Sequence, residues 1–321
     1  MQRRRFLQGS VVAAGALMAQ STIAADKKAL PIVDTHQHLW DLSKFRPPWL
    51  KGAPEILSHS YVTKDFLAAT KGLNVVKAVY MEIDVAPKDQ VREAKHVISL
   101  SKSKKHPTVG AVISGRPNST RFKAYIDQFK DNKTIKGVRQ VLHVDSAPKG
   151  LCLQKQYIKS VRLLGEYGKS FDMCMRPTEL KDAAKLAAAC PDTRLILDHC
   201  GNADPKAFLK KSKEKPGHTA AQWKKDLAAL AKHKNVICKI SGVVARAPKN
   251  WKSDQLAPII NHCIACFGFD RVVFGGDWPV CLLGASYKQW VNGLKEVLSN
   301  RSRKDQRKLL HDNAVHYYSL G

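Results

Sequence analysis

Eight short runs rich in β-branched and other apolar residues recur along the chain, at 32–40, 75–83, 108–115, 135–143, 170–175, 193–200, 236–243 and 271–278. Most are continuously apolar in their first half rather than alternating, the pattern of strands buried on both faces of a parallel sheet. Stretches with helical spacing lie between them, at Lys88–Lys102, Ser119–Asn132, Gln154–Gly168, Thr178–Ala189, Ala220–His233, Ser253–Phe267 and Tyr287–Asn300. Strand and helix alternate, so one parallel sheet with helices outside buries every apolar face. Eight such units in roughly 300 residues predict a TIM-type (β/α)8 barrel, a single domain over residues 26–321. An open doubly wound sheet would carry a glycine-rich phosphate turn after its first strand. Here that strand ends in Asp34-Thr-His36-Gln-His38.

The first 25 residues read differently. Arg3, Arg4 and Arg5 precede Phe6 and Leu7, an apolar run follows from Val11 to Ala19, and small residues lead through Ala24 and Ala25. A basic region, a short hydrophobic region and a small-residue cleavage site predict a cleavable signal peptide at 1–25. Adjacent arginines before Phe-Leu resemble a twin-arginine signal. The apolar run is too short to span a bilayer, so the expectation is export to the periplasm without stable membrane insertion.

The formal net charge is +27, and +24 remains once the three arginines of this leader are removed. The lysines are spread over presumed helices and loops, with no basic stripe interleaved with aromatics. That is a solvated basic surface, and no nucleic-acid partner is expected. Eight cysteines, an even count, permit disulfides in an exported protein. However, Cys174, Cys200 and Cys238 sit in apolar runs, where a free thiol behaves as a small hydrophobe. Cys263-x-x-Cys266 lies in a helical stretch with no second pair to complete a metal site. Disulfides are therefore not required.

The chemistry gathers at strand ends. His36 and His38 are two apart in the first strand, so both project from one face at the end where barrel enzymes build their sites. Two such imidazoles can share a divalent metal or grip an oxyanion. Asp34 has the same parity and could orient an imidazole from behind. His199 and Asp277 arrive as the sixth and eighth apolar runs leave the barrel. Asp277 can take a proton from water, bind a metal, or do both in turn. Glu82 ends the second strand as a ligand or substrate contact. Arg139, within the fourth, would be costly to bury unpaired, and facing the mouth it would bind a carboxylate or lactone oxygen. His143, further along the same face, is a candidate acid or carbonyl donor. Lys239 and Ser241 end the seventh strand. Trp40 and Trp278 flank the key motifs, placed to stack on a ring-shaped substrate or to pack around the mouth.

Asp34-Thr-His36-Gln-His38-Leu-Trp40, then Asp198-His199-Cys-Gly201, then Phe274-Gly-Gly-Asp277-Trp278-Pro279-Val280-Cys281 together resemble the amidohydrolase superfamily. The likeness is to its amidohydrolase-related branch, which contains L-fuconolactonase and other sugar or dicarboxylate lactonases. Gly137-Val-Arg139 and the Gly-Asp-Trp-Pro segment are characteristic of that branch, and the likeness runs to Asn313-Ala-Val-His-Tyr-Tyr318. The resemblance implies that His36, His38, His199 and Asp277 are the catalytic or metal-binding set. It also implies ring-opening hydrolysis of a small-molecule lactone, with Arg246 as a substrate anchor.

Two departures bear on the metal. The two-metal members carry a carboxylated lysine on strand four, where this chain offers Arg139, Val141 and His143. They also place a histidine on strand five, where it has Phe171-Asp-Met-Cys-Met175. The resemblance therefore implies one zinc-like divalent ion or a metal-independent reaction. Two other functions fit the same scaffold: metal-dependent decarboxylation of an aromatic or muconate acid, and non-catalytic binding of a sugar acid.

Overall fold

The computed structural model describes residues 29–209 and 215–321. The expected signal peptide, residues 1–25, lies outside them. Eight parallel strands follow one another around a single sheet in chain order. They are β1 (Ile32–Gln37), β2 (Val75–Met81), β3 (Thr108–Ser114), β4 (Ile135–Val141), β5 (Ser170–Cys174), β6 (Leu195–Leu197), β7 (Val236–Ile240) and β8 (Val272–Phe274). The sheet returns on itself where Gln37 bridges Trp278 in parallel and the His38 N–H donates to the Trp278 carbonyl at 2.8 Å. The eight apolar runs thus become the eight staves of a nearly closed barrel.

The expected helices fall where periodicity places them apart from one shortened segment, and further helices at Thr63–Thr70, Arg303–Arg307 and Asn313–Tyr317 have no counterpart in the expectation. Ser119–Asn132 yields only Phe122–Ile126 as α-helix. Turns follow from Asp127, and Asn132 Oδ1 accepts from the Thr134 N–H at 2.9 Å as the chain turns into β4. The Thr63–Thr70 helix lies between β1 and β2. Val62 N–H donates to Asp65 at its start, but its apolar positions are too few to stand out.

The strands are shorter than the apolar runs, and the difference positions the site. His38, His199 and Asp277 all lie beyond their strands. At the opposite end of the barrel, Val33, Val79, Val112, Ile196, Ile237 and Val273 pack against Ala314, Tyr318 and Leu320 of the C-terminal segment. That segment seals the floor, and the Lys77 ammonium donates to the Leu320 carbonyl. With the floor apolar and closed, polar side chains can meet a ligand only from the strands' carboxyl ends. No helix of the described residues is long and apolar enough to cross a membrane.

Candidate active site

His199 and Asp277 both adopt left-handed backbone, with φ of 54° at each. Residues other than glycine rarely hold that conformation, and it is kept only where the surroundings over-determine it. Here it bends each chain out of its strand so that both side chains join those from β1.

The result is a convergence on one carboxylate oxygen. Asp277 Oδ1 lies 3.6 Å from His36 Nε2, 3.6 Å from His38 Nε2 and 4.0 Å from His199 Nε2. The rings themselves are in contact, with centroids 4.8 Å apart for His36 and His38 and 4.4 Å for His36 and His199. His36, His38 and Asp277 form the compact face of the set, and His199 closes it from the side of His36 and Asp198. All four residues are buried.

Each imidazole is held from behind. His38 Nδ1 meets the Met81 carbonyl at 3.1 Å, so in the neutral ring Nδ1 carries the proton and Nε2 keeps its lone pair. His199 Nδ1 pairs with Ser241 Oγ at 2.9 Å. His36 Nε2 faces the donor-only guanidinium of Arg139 at 3.3 Å. Its Nδ1 lies 3.6 Å from Asp198 Oδ1 and 3.3 Å from the Lys239 ammonium. Burial lowers the pKa of His36 well below its ordinary value, helped by the Lys239 charge, and burial also lowers that of His199. Burial alone would raise the Asp277 pKa, but His199, His38 and His36 outweigh it and hold the carboxyl below the usual range. Three ring nitrogens and a carboxylate oxygen facing one point are the donor set of a cation site. Donor atoms on one tetrahedral zinc, with bonds of ~2.05 Å, would lie ~3.4 Å apart, close to the spacings around Asp277. The residues present therefore fit one divalent ion.

Beneath the imidazoles runs a charged layer. Lys239, fully buried on β7, places Nζ 2.7 Å from Asp172 Oδ2 and 2.9 Å from Asp198 Oδ1, and 3.3 Å from His36 Nδ1. Tyr318, from the floor, reaches Asp172 at 3.3 Å. Arg139 binds Glu82 through Nε at 2.7 Å and the Glu82 carbonyl at 2.9 Å. A continuous set of contacts thus links the apolar floor to the imidazoles at the mouth. Sequence reasoning named Glu82, Arg139 and Lys239 but missed their pairing with one another and with Asp172 and Asp198 in this layer. Its signal was a charge in the middle of each of two apolar strands, Asp172 in β5 and Lys239 in β7.

Above Asp277 opens a cavity of about 250 Å³. Trp40, Trp49, Leu57 and Ile83 give it an apolar side, and Arg139, His143, Asn202 and Arg246 a polar one, with His38 and His199 also in its wall. Burial, then the Arg246 charge, lowers the His143 pKa to about 3, so its imidazole is neutral. Arg246 is anchored to the Asn202 carbonyl at 2.7 Å.

Three expected contacts are corrected. Glu82 is fully buried and does not line the cavity; it is the counter-ion of Arg139. Trp278 lies behind the wall, edge-on to Tyr61 and Phe66 at 5.1 and 5.5 Å, and packs rather than stacking on a ligand. Asp34 does not orient an imidazole, because the pairing register of β1 shifts between Asp34 and Gln37 and breaks the two-residue alternation. Its carboxylate instead accepts from the His36 and Gly276 N–H groups at 2.9 and 2.7 Å and from Tyr287 Oη at 3.0 Å. It clamps the backbone of β1 to the turn that presents Asp277.

Gly242 is required twice over. Its φ is +69°, and a Cβ there would lie 2.4 Å from His199 Nδ1. Gly242→Ala should displace the imidazole and lower kcat/KM by ~10²-fold, as misplacement of about 1 Å does elsewhere. Steady-state kinetics beside a thermal melt will separate this from general unfolding.

A family model described as amidohydrolase matches residues 33–320. The chain belongs to the amidohydrolase superfamily. It is 24% identical over 297 residues to an L-fucono-1,5-lactonase of Burkholderia multivorans, covering 90% of this chain and 96% of the relative. It is 29% identical over 308 residues to the uncharacterized protein y4mH of Sinorhizobium fredii, covering 91% and 99%. A crystal structure of a Burkholderia multivorans amidohydrolase with bound zinc superimposes with a TM-score of 0.78 at 21% identity, over 91% of this chain and all of that one. At that identity the superposition establishes the shared fold.

Proposed function

We propose that this amidohydrolase is a hydrolase that opens the ring of a sugar lactone or related carboxylate lactone by attack of water at the carbonyl. The observation that carries this reading is the convergence of three Nε2 atoms on Asp277 Oδ1 at the base of a cavity with one apolar and one cationic wall. A pure binding protein has no use for a buried carboxylate that faces three imidazoles across 4.0 Å or less.

His36, His38, His199 and Asp277 would hold one divalent ion. When bound, such an ion acidifies water and polarises a carbonyl. The remaining work falls to the chain's own groups. The lactone ring lies against Trp40, with its polar edge toward Arg139, His143 and Arg246. Asp277 takes the proton of the attacking water on its second oxygen, Oδ2. Guanidinium N–H groups stabilise the charge that builds on the carbonyl oxygen. Asp277 then returns the proton to the leaving ring oxygen, and the product is a hydroxy acid.

The test is acid release from a panel of aldonolactones, L-fucono-1,5-lactone included. Wild type should open at least one of them, and dialysis against a strong chelator should remove that activity and zinc restore it. Lactones left untouched while an aromatic acid loses carbon dioxide would replace this reading with decarboxylation. Export by the twin-arginine route belongs to the same proposal. Replacing Arg3 and Arg4 by lysine should leave the full-length chain in the cytoplasmic fraction, where wild type appears in the periplasm.

A further inference from the structure

Three thiols meet inside the barrel wall, away from the cavity. Cys200 comes from the turn after β6, Cys238 from β7 and Cys263 from the helix Ser253–Phe267, and none has exposed surface. All three are free, and their Sγ atoms lie within 4.8 Å of one another. Their positions are fixed independently. Cys238 is registered against Leu197 of β6. The left-handed Cys200, with φ 52°, is held by Trp223 Nε1 donating to its carbonyl at 3.0 Å. Packing alone does not explain the set. The neighbouring buried positions of the same strand and helix are filled by Ile237, Ile240, Ile259, Ile260 and Ile264, whereas at this point three separate elements each supply sulfur.

We propose that Cys200, Cys238 and Cys263 form a three-sulfur site for a soft d10 cation, with Cu(I) as its best ligand. Metal–thiolate bonds of ~2.3 Å put three sulfurs around a planar ion ~4 Å apart, so the side chains need contract by less than about 1 Å. Closed zinc sites take four ligands. Among the described residues no fourth cysteine, histidine or carboxylate joins this group, and soft thiolates with three-fold coordination favour Cu(I). Each thiol that ligates releases its proton to solvent, and no oxidation is involved.

The experiment offers Cu(I), held by a chromogenic chelator, to the reduced full-length protein. Wild type should withdraw one equivalent, with sulfur-to-copper absorption in the near ultraviolet and only sulfur in the first shell by X-ray absorption. Cys238→Ser and Cys263→Ser should each weaken binding at least tenfold, while Cys152→Ser, Cys266→Ser and Asp277→Asn retain it. Copper-free melts verify each fold, and Cys263→Val replaces any serine variant that fails to fold. Wild type that leaves the copper on the chelator overturns the proposal. So does Cys263→Ser or Cys263→Val binding as tightly as wild type, or a nitrogen-containing shell that disappears in Asp277→Asn.

Discussion

Asp277→Asn should lower kcat/KM for a responsive lactone by ~10³-fold or more, a loss of about 4 kcal/mol of transition-state stabilisation. Among the described residues Asp277 is the one carboxylate that faces all three Nε2 atoms, while Asp198 approaches the Nδ1 side of His36. The amide keeps the shape of the side chain and removes both its charge and its capacity to carry a proton. Since burial disfavours the Asp277 carboxylate and only the imidazoles compensate, the fold should survive the change. A melting curve close to wild type beside the kinetic loss places the effect in the chemistry. Activity within tenfold of wild type would remove Asp277 from the role of base.

The second large effect is on stability. Lys239→Met should destabilise the barrel by ~3–5 kcal/mol, because it strands two buried carboxylates, Asp172 and Asp198, whose Nζ partner lay at 2.7 and 2.9 Å. For a domain of this size that corresponds to a fall in Tm of roughly 10 °C. Adding Asp172→Asn to Lys239→Met removes one stranded charge and should recover part of the loss. If Lys239→Met melts within a degree or two of wild type, the layer beneath His36 is not held by this pair.

The barrel and the four mouth residues were legible for related reasons. A strand buried on both faces must be apolar throughout, so eight continuous runs count the staves, and a polar residue that ends such a run stands out against it. That is how His36, His38, His199 and Asp277 could be picked from the chain. Facing was harder to read. The shift in β1 turned Asp34 from an imidazole to the backbone, and the closing bridge at Gln37 and Trp278 set that tryptophan behind the wall. Partnership across the barrel was harder still. Lys239 meets Asp172 across 67 residues, and Cys200, Cys238 and Cys263 come from three elements. Periodicity reports which face a residue takes, and it says nothing of what waits on the other side of the barrel.

The most direct test is to titrate chelator-stripped wild-type protein with Zn(II) while following lactone opening. Activity should be near zero at the start, rise in proportion to added zinc and level off at one equivalent per chain. His38→Ala should show no such rise. Stripped protein that opens the lactone at the full rate, or a His38→Ala variant that titrates like wild type, would contradict a reaction run by these three imidazoles and Asp277 around one ion.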